Sequence, residues 1–156
     1  YGVPMGGDLV PTNNKNAPSF ILRAVKDPKG ANLDRIQIIK GWINAEGEQF
    51  ERIYNVAWSG ARKLDSNGKL PAVGNTVDTT FATYTDSIGA PELSAHWVDP
   101  DFDSNQSAFY YARVLQIPTP RNALYDSLAL GLAKPPTGPK TIQERAYTSP
   151  IWYQSD

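Results

Sequence analysis

The fold is decided by the stretch Ser107–Arg121, SAFYYARVLQIPTPR. Its first eleven residues are dominated by aromatic and branched aliphatic side chains and contain neither glycine nor proline. A short apolar run of this kind predicts a β-strand that is covered on both faces. Pro118 and Pro120 end the strand, because proline has no N–H group to donate to a neighbouring strand. We therefore expect the rest of the chain to be organised around this strand.

Alternating and β-branched sequence patterns predict six further strands. They span 19–26, 35–42, 49–58, 77–84, 92–99 and 148–153. The second and third of these form the clearest hairpin, because the turn Asn44–Gly47 separates two runs that each place their large apolar side chains on one face. Pro150 predicts that the last strand lies at a sheet edge, since proline is confined to edge strands.

About seven short strands separated by turns predict an all-β fold, an antiparallel β-sandwich with little helix. Tyr110 precedes Ala112 by two residues, which resembles the tyrosine corner of immunoglobulin-like sandwiches with alanine in the place of cysteine. Residues 1–18 are punctuated by glycine, asparagine and proline and predict an extended arm or joining loop, with the sandwich at 19–156. The Pro-rich segment Pro118–Pro139 is expected to cross the surface around a short helix at Asn122–Leu130.

The composition limits the classes of function. A chain of 156 residues can bury a sizeable core as one domain, and the absence of cysteine removes disulfides and zinc–thiolate sites. The 15 basic and 16 acidic residues are mixed along the chain, which argues against nucleic-acid and membrane partners. The chain begins with Tyr1 rather than methionine, so we expect a piece of a longer protein; the alternative is a complete protein that has been processed.

The segment DPDFDSN at 99–105 carries the acidic candidates for a metal site. These candidates are Asp99, Asp101 and Asp103. They present oxygen ligands at every second residue, as a calcium loop does. Ser104 occupies the position where such a loop needs glycine, and Tyr110 occupies the position of its glutamate. We therefore favour a turn between two strands that is capped by the aspartates, with calcium binding as the weaker alternative.

Two other local patterns suggest a site only weakly. His96 is the only histidine and lies on the polar face of its predicted strand, so an exposed structural side chain is favoured over a catalytic triad. Gly6, Gly7 and Asp8 invite a phosphate-loop interpretation, but the lysine, hydroxyl and helix of that motif do not follow. A flexible arm, or a loop that passes close to another surface, fits these glycines as well.

Aromatic and arginine side chains offer further binding candidates. Arg121 and Arg145 can clamp a carboxylate, phosphate or sulfate, although ordinary surface arginines are the default expectation. Eight tryptophans and tyrosines can form a sugar-stacking platform, but most fall on faces that the pattern assigns to the core. They are Trp42, Tyr54, Trp58, Trp97, Tyr110, Tyr111, Trp152 and Tyr153.

Six motifs run in order along nearly the whole chain. They are GVPMGGDL at 2–9, RIQIIKGW at 35–42, YNVAWSGARKLDSNGKLPAVGNTVD at 54–78, IGAPEL at 88–93, DPDFDSNQSAFYYARVLQIPTPR at 99–121 and QERAYTSPIWY at 143–153. Together they resemble the C-terminal region of the bacterial family of unknown function DUF3604. The resemblance implies full-length relatives with a PHP-like, metal-dependent hydrolase barrel that precedes this segment. It also implies that many of them are exported, so a periplasmic or extracellular location is expected.

The function that this resemblance implies is a non-catalytic β-sandwich module that packs against, and helps to shape, the catalytic barrel of the same polypeptide. One histidine cannot supply a PHP-like centre, so we expect no cofactor in this segment and a divalent metal in the parent catalytic domain. The implied contacts with the mouth of the active site are Gly6, Gly7, Asp8, Arg121, Tyr125, Asp126 and Arg145. A detached domain is expected to form a homodimer through the exposed face. A small carboxylate-based hydrolase and a carbohydrate-binding module stay open as alternatives.

Overall fold

The computed structural model describes residues 2–9, 16–132 and 138–155. These ranges contain ten β-strands and one short helix, so the predicted all-β class is confirmed. The elements are β1 Asp8–Leu9, β2 Ser19–Val25, β3 Leu33–Ile43, β4 Gln49–Trp58, β5 Glu92–Val98, β6 Ala108–Gln116, β7 Thr119–Pro120, α1 Asn122–Ala129, β8 Thr141–Ile142, β9 Arg145–Tyr147 and β10 Ile151–Tyr153.

The strands form two layers. The main sheet has the order β1-β10-β6-β3-β4, and β9 pairs with β6 beside β10. The antiparallel pair β2–β5 forms the second layer, and β7–β8 is a short separate ribbon. The pairings are antiparallel except for β1, which runs parallel to β10. The layers make a sandwich, while the immunoglobulin-like topology stays a prediction.

The central strand β6 is covered on one face only. Tyr110 and Ala112 are buried toward the second layer, whereas Phe109 and Tyr111 are only half-buried on the opposite face. The expectation of cover on both faces is therefore wrong, because in the described part of the chain no second layer packs against that face. The Tyr110 hydroxyl donates to Asp99 Oδ2 at 2.8 Å rather than to the backbone, which differs from a tyrosine corner.

The core lies between the layers. Ile38, Tyr110 and Tyr153 form one buried cluster, and Leu33, Ile36 and Leu93 form a second. Their cover comes from alternate residues of the second layer, among them Phe20, Leu22, Ala24 and Trp97. The alternating burial of β2 and β5 has the period of two residues expected of half-exposed strands, so the strands predicted at 19–26 and 92–99 are confirmed.

The strand predicted at 77–84 is wrong. The backbones of Asp78 and Thr83 exchange hydrogen bonds of 2.8 and 3.2 Å, which closes a tight turn. Asp78 Oδ1 accepts from the Thr80 N–H at 2.7 Å, and Ala82 has a positive φ of 51°. Such side-chain-to-backbone bonds compete with a sheet ladder, so the turn chemistry outweighs the β-propensity of the threonines.

The loop that follows this turn is held by Asp86. Its Oδ1 accepts from the Asn32 N–H at 2.8 Å, and its Oδ2 pairs with the Lys26 ammonium. Partial burial raises the pKa of Asp86, but the bonds from Lys26 and Asn32 outweigh that effect and hold its pKa below the ordinary value. The carboxylate therefore stabilises the loop in its charged form.

The last predicted strand, at 148–153, is shorter than expected and does not lie at an edge. Only Ile151–Tyr153 forms strand β10, so Pro150 lies just before the strand rather than inside it, and β9 lies outside the predicted range. The arm covers β10 on its other side, because Gly6 N–H donates to Pro150 O and Trp152 N–H donates to Gly7 O, both at 3.1 Å. The arm thus adds β1 to the main sheet.

The Pro-rich segment contains the predicted helix, which α1 confirms over Asn122–Ala129. Four parts of the predictions lie outside the described residues. They are Tyr1 and residues 10–15 of the arm, residues 133–137 of the Pro-rich segment, and Asp156 at the end of the predicted sandwich.

Candidate functional site

Four aromatic side chains form a row on the face of the main sheet that lies opposite β2–β5. Phe109 and Tyr111 come from β6, Trp152 from β10 and Tyr147 from β9. The ring centroids are 5.4 Å apart for Trp152 and Phe109, 6.3 Å for Phe109 and Tyr111, and 6.2 Å for Tyr111 and Tyr147. Trp152 is 46% exposed and Tyr147 is 56% exposed. We call these four residues the aromatic row.

Strand periodicity and one glycine place the row. Residues two apart on β6 share a face, so Phe109 and Tyr111 stand side by side. The register sets Trp152 opposite Phe109 and Tyr147 opposite Arg113, which extends the row onto both neighbouring strands. Phe109 lies over Gly41 of β3, where a Cβ atom would sit only 2.3 Å from its Cζ atom. Glycine at this position therefore makes room for the ring.

A polar rim borders the row. Arg113 donates to Gln37 Oε1 at 2.7 and 2.9 Å, and Gln37 donates to Asn55 Oδ1 at 2.9 Å, which forms a band of hydrogen bonds across three strands. At the two ends of the face, Asp8 is paired in register with Trp152 and Arg145 with Leu115. An apolar centre with a polar rim is typical of a protein-binding surface.

The predicted contact residues fall into three places. Gly6, Gly7 and Asp8 form the turn into β1 beside Trp152, and Arg145 lies on β9. Arg121, Tyr125 and Asp126 are grouped at α1, where Arg121 precedes the first helical residue and its N–H donates to Lys140 O at 2.9 Å. All three side chains at α1 are exposed. Asp8 and Arg145 thus border the aromatic row, while the α1 group is a separate exposed cluster.

The aspartates of the predicted turn already have cationic and hydroxyl partners. Asp99 Oδ2 lies 2.6 Å from the buried Lys40 ammonium and accepts from the Tyr110 hydroxyl at 2.8 Å. Asp101 Oδ2 lies 2.7 Å from both Arg52 Nη1 and the Tyr54 hydroxyl. Burial, and then the bonds to these carboxylates, raise the pKa of Tyr110 and of Tyr54. These carboxylates therefore balance the charges of Lys40 and Arg52 and accept the hydrogen bonds of the two tyrosine hydroxyls.

The same aspartates also cap backbone N–H groups. Asp99 Oδ1 accepts from the Asp101 N–H at 3.0 Å, and Asp103 Oδ1 accepts from the Asn105 N–H at 2.9 Å. The segment thus has the geometry of two successive aspartate turns. Across residues 2–9, 16–132 and 138–155 there is no group of three or more histidine, cysteine, aspartate or glutamate side chains that would hold a metal ion.

A second buried charge cluster holds the long loop after β4. Arg35 Nε lies 2.9 Å from Asp34 Oδ2, and Arg62 Nη2 lies 2.7 Å from Asp34 Oδ1. The Arg62 guanidinium directs its hydrogen bonds to the main-chain oxygens of Asp34, Ser59 and Pro71, so its contact with Oδ1 is one of charge. Gln143 Nε2 also donates to Asp34 Oδ2 at 3.1 Å. This cluster joins three distant segments and is structural.

The remaining candidates lie apart from the row. His96 is exposed on β5, as predicted. Trp42 stacks on Phe50, Trp97 contacts Phe20, and the Trp58 indole donates to Arg62 O at 2.8 Å. These tryptophans pack within the domain rather than form one exposed plane. Within the described ranges, no helix is long and apolar enough to cross a membrane.

The fold and this face define a two-layer β-domain with an exposed aromatic surface. Comparison with family models identifies it further. The chain matches the model described as "Protein of unknown function (DUF3604)" over residues 1–155, and it belongs to that family. No curated protein and no solved structure matches the chain.

The sequence pointed to part of this surface. A family motif suggested Asp8, the chemistry of arginine suggested Arg145, and Tyr111 and Trp152 were noted as aromatics, whereas the α1 group lies elsewhere. Sequence reasoning missed Phe109, Tyr147 and the role of Gly41, which depend on the pairing of β6 with β3, β9 and β10. The Phe109–Tyr111 spacing of two residues was the local signal that these rings share a face.

Proposed function

We propose that the chain is a non-catalytic, C-terminal β-sandwich module of a larger PHP-like metal-dependent hydrolase. The aromatic row is the surface that packs against the catalytic domain of the same polypeptide. Asp8 and Arg145 lie at the ends of this surface, and the α1 group with Gly6 and Gly7 reaches the mouth of the active site. The divalent metal belongs to the catalytic domain.

The observation that carries this proposal is the exposed aromatic row. A sheet face whose end rings are 46% and 56% exposed leaves contiguous aromatic side chains in water, and exposed apolar patches mark interaction sites. Tryptophan, tyrosine and arginine are also the residues that dominate protein interfaces. The row thus fits cover by another protein domain.

The chain's own chemistry supports a non-catalytic role. Two acids of the turn, Asp99 and Asp101, are held by Lys40, Arg52 and two tyrosine hydroxyls. Burial raises the pKa of Asp86, but the bonds from Lys26 and Asn32 hold it below the ordinary value, and Arg23 lowers the pKa of Glu92. A general acid needs the opposite shift. A carboxylate-based hydrolase is therefore the weaker candidate.

The geometry of the rings also disfavours a carbohydrate platform. Trp152 is tilted by 51° against Phe109, and Tyr147 by 43° against Tyr111. A stacking platform for sugars needs rings that present their faces in one plane. Phe109 and Tyr111 are near-parallel, at 11°, but stand beside each other on one strand.

The test is an assay of the purified chain for hydrolysis of phosphate, sulfate and carboxylic esters with added divalent metal. We expect no turnover above the protein-free control. Turnover that survives a chelator and the His96→Ala substitution contradicts the proposal. Reading the gene upstream gives a second check, because clustered histidine codons in an open reading frame that continues into Tyr1 are expected.

A further inference from the structure

We propose that the free edge of β2, together with the cleft beside it, is a site for β-strand addition. Its occupant is a single extended peptide strand from outside this chain, with apolar side chains at alternate positions. This site lies on the second layer, away from the aromatic row. It goes beyond the proposed contact with a catalytic domain.

The backbone of β2 offers unused hydrogen-bonding groups. Lys26 N–H donates to Pro91 O at 2.9 Å, and Asp99 N–H donates to Pro18 O at 3.2 Å. The even-numbered residues of β2 therefore direct their backbone N–H and C=O groups toward β5. In an antiparallel pair the odd-numbered residues then direct their N–H and C=O groups to the other side. These are Ser19, Ile21, Arg23 and Val25. In the described part of the chain, β2 pairs with β5 alone, so this side of β2 is a sheet edge.

The edge lacks the features that protect natural edges. Its register against β5 is regular with no bulge, and Ile21 is 88% exposed. Its one charge, Arg23, is turned toward Glu92 of β5 in a paired contact of 3.0 Å. The edge strand β4 of the main sheet differs from β2. It carries the charged residues Glu51 and Arg52 and has a register shift in its pairing with β3. Charges and bulges of that kind prevent strand pairing.

The cleft beside β2 has the shape and chemistry for the side chains of an added strand. It has a volume of about 530 Å³, within the range of about 300–1,000 Å³ typical of binding sites. Its floor is the apolar inner face of the main sheet at Ala112, Val114 and Ile151, and the arm at Val3–Met5 forms the far wall. A strand bonded to β2 places every second side chain over this floor.

The arrangement of the layers selects a single strand rather than a second copy of the domain. β5 packs over β3 and β4, and β2 borders the cleft above β6. β10 and β1 therefore project beyond the free edge, since Ile151 and Leu9 also line the cleft. A second copy paired through β2 would bring its own main sheet into this space, whereas one extended strand occupies only the cleft.

The test uses the full chain labelled with ¹⁵N and the acetylated, amidated peptide KTVTVTK. Its control is KVVTTTK, which has the same composition without alternation. Binding is expected to shift the amide signals of Ile21, Arg23 and Val25 and to slow their hydrogen exchange. The expected Kd is about 1 mM or tighter, and the control peptide is expected to bind at least about tenfold more weakly.

Two variants identify the site. Ile21→Pro removes an edge N–H that makes no bond to β5, so the domain stays folded while binding weakens at least about tenfold. Ile21→Thr keeps that N–H and is expected to retain binding. Ala112→Phe fills the cleft and is expected to abolish binding by a second route. Trp152→Ala is expected to leave binding unchanged, which separates this site from the aromatic row.

Several results would overturn the proposal. They are the absence of peptide binding at about 1 mM, binding that both Ile21→Pro and Ala112→Phe leave intact, and shifts confined to the aromatic row. A dimer in light scattering that dissociates on Ile21→Pro would also contradict it, because the occupant would then be a second copy.

Discussion

Replacing Asp99 with asparagine would leave the Lys40 ammonium buried beside a neutral amide. The two side chains are almost fully buried, with 5% exposure for Lys40 and 0% for Asp99, and their charged atoms lie 2.6 Å apart. Removing one partner from a buried ion pair costs about 3–5 kcal/mol, because the other charge loses its compensation. For a domain of this size we expect the Tm to fall by about 6–20 °C, at about 2–4 °C per kcal/mol.

The neighbouring aspartate provides a matched control. Asp101 lies in the same turn and pairs with Arg52 at 2.7 Å, but these side chains are 45% and 58% exposed. Solvent screens such a pair, so Asp101→Asn is expected to cost only about 0–1 kcal/mol. The Lys40→Met, Asp99→Asn double variant should lose less than the sum of the single losses, since each single change leaves the other group unpaired.

Urea unfolding monitored by tryptophan fluorescence measures the single variants Asp99→Asn, Asp101→Asn and Lys40→Met and the double variant, with the slope of the transition as a check on two-state behaviour. Equally small losses of stability for Asp99→Asn and Asp101→Asn would contradict the buried ion pair's importance. Strict additivity of the Lys40→Met and Asp99→Asn losses would contradict it as well.

Three further perturbations test other parts of the structure. Asp86→Asn should reduce stability at pH 7 but not at about pH 2. The lowered pKa of Asp86 stabilises the folded state at pH values above the ordinary pKa of the group, and this gain is lost as the pH falls through the folded-state pKa. Urea midpoints measured across this pH range check the prediction. Gly41→Ala should lower the free energy of unfolding by about 1–3 kcal/mol, because the added Cβ would lie 2.3 Å from the Phe109 ring. Phe109→Ala in the same chain should relieve the clash. Equal costs of Gly41→Ala with and without Phe109→Ala would contradict this contact. Trp152→Ala should change stability by less than about 2 kcal/mol, because the ring is 46% exposed, and chemical denaturation checks this limit.

Local sequence patterns predicted those elements whose burial alternates with the strand period. β2 and β5 were found because one face of each is buried and the other is in water, and the β3–β4 hairpin because Asn44–Gly47 has turn chemistry. The same reasoning failed at 77–84, where threonine β-propensity competes with aspartate side-chain bonds to the backbone.

Features that depend on distant pairings could not be found in this way. Pro150 suggested an edge strand, but the arm at Asp8–Leu9 supplies a parallel partner for β10 from the other end of the chain. The aromatic row likewise depends on the register of β6 with β9 and β10. Lys40 interrupts an apolar run, and its buried partner Asp99 lies in another segment, so no local pattern identified the pair. A family motif, rather than periodicity, suggested Asp8 as a contact residue, and the chemistry of the arginine side chain suggested Arg145.

The proposed packing against a catalytic domain is tested most directly by co-expressing the upstream coding segment and this chain as two separately tagged polypeptides. We expect a stable complex of one copy of each, whose Kd rises at least about tenfold when Trp152 and Tyr147 are both replaced by alanine. The variant His96→Ala, on the other layer, is expected to bind like the wild type. An upstream segment that forms no complex, or a complex that the double alanine variant leaves intact, would contradict it.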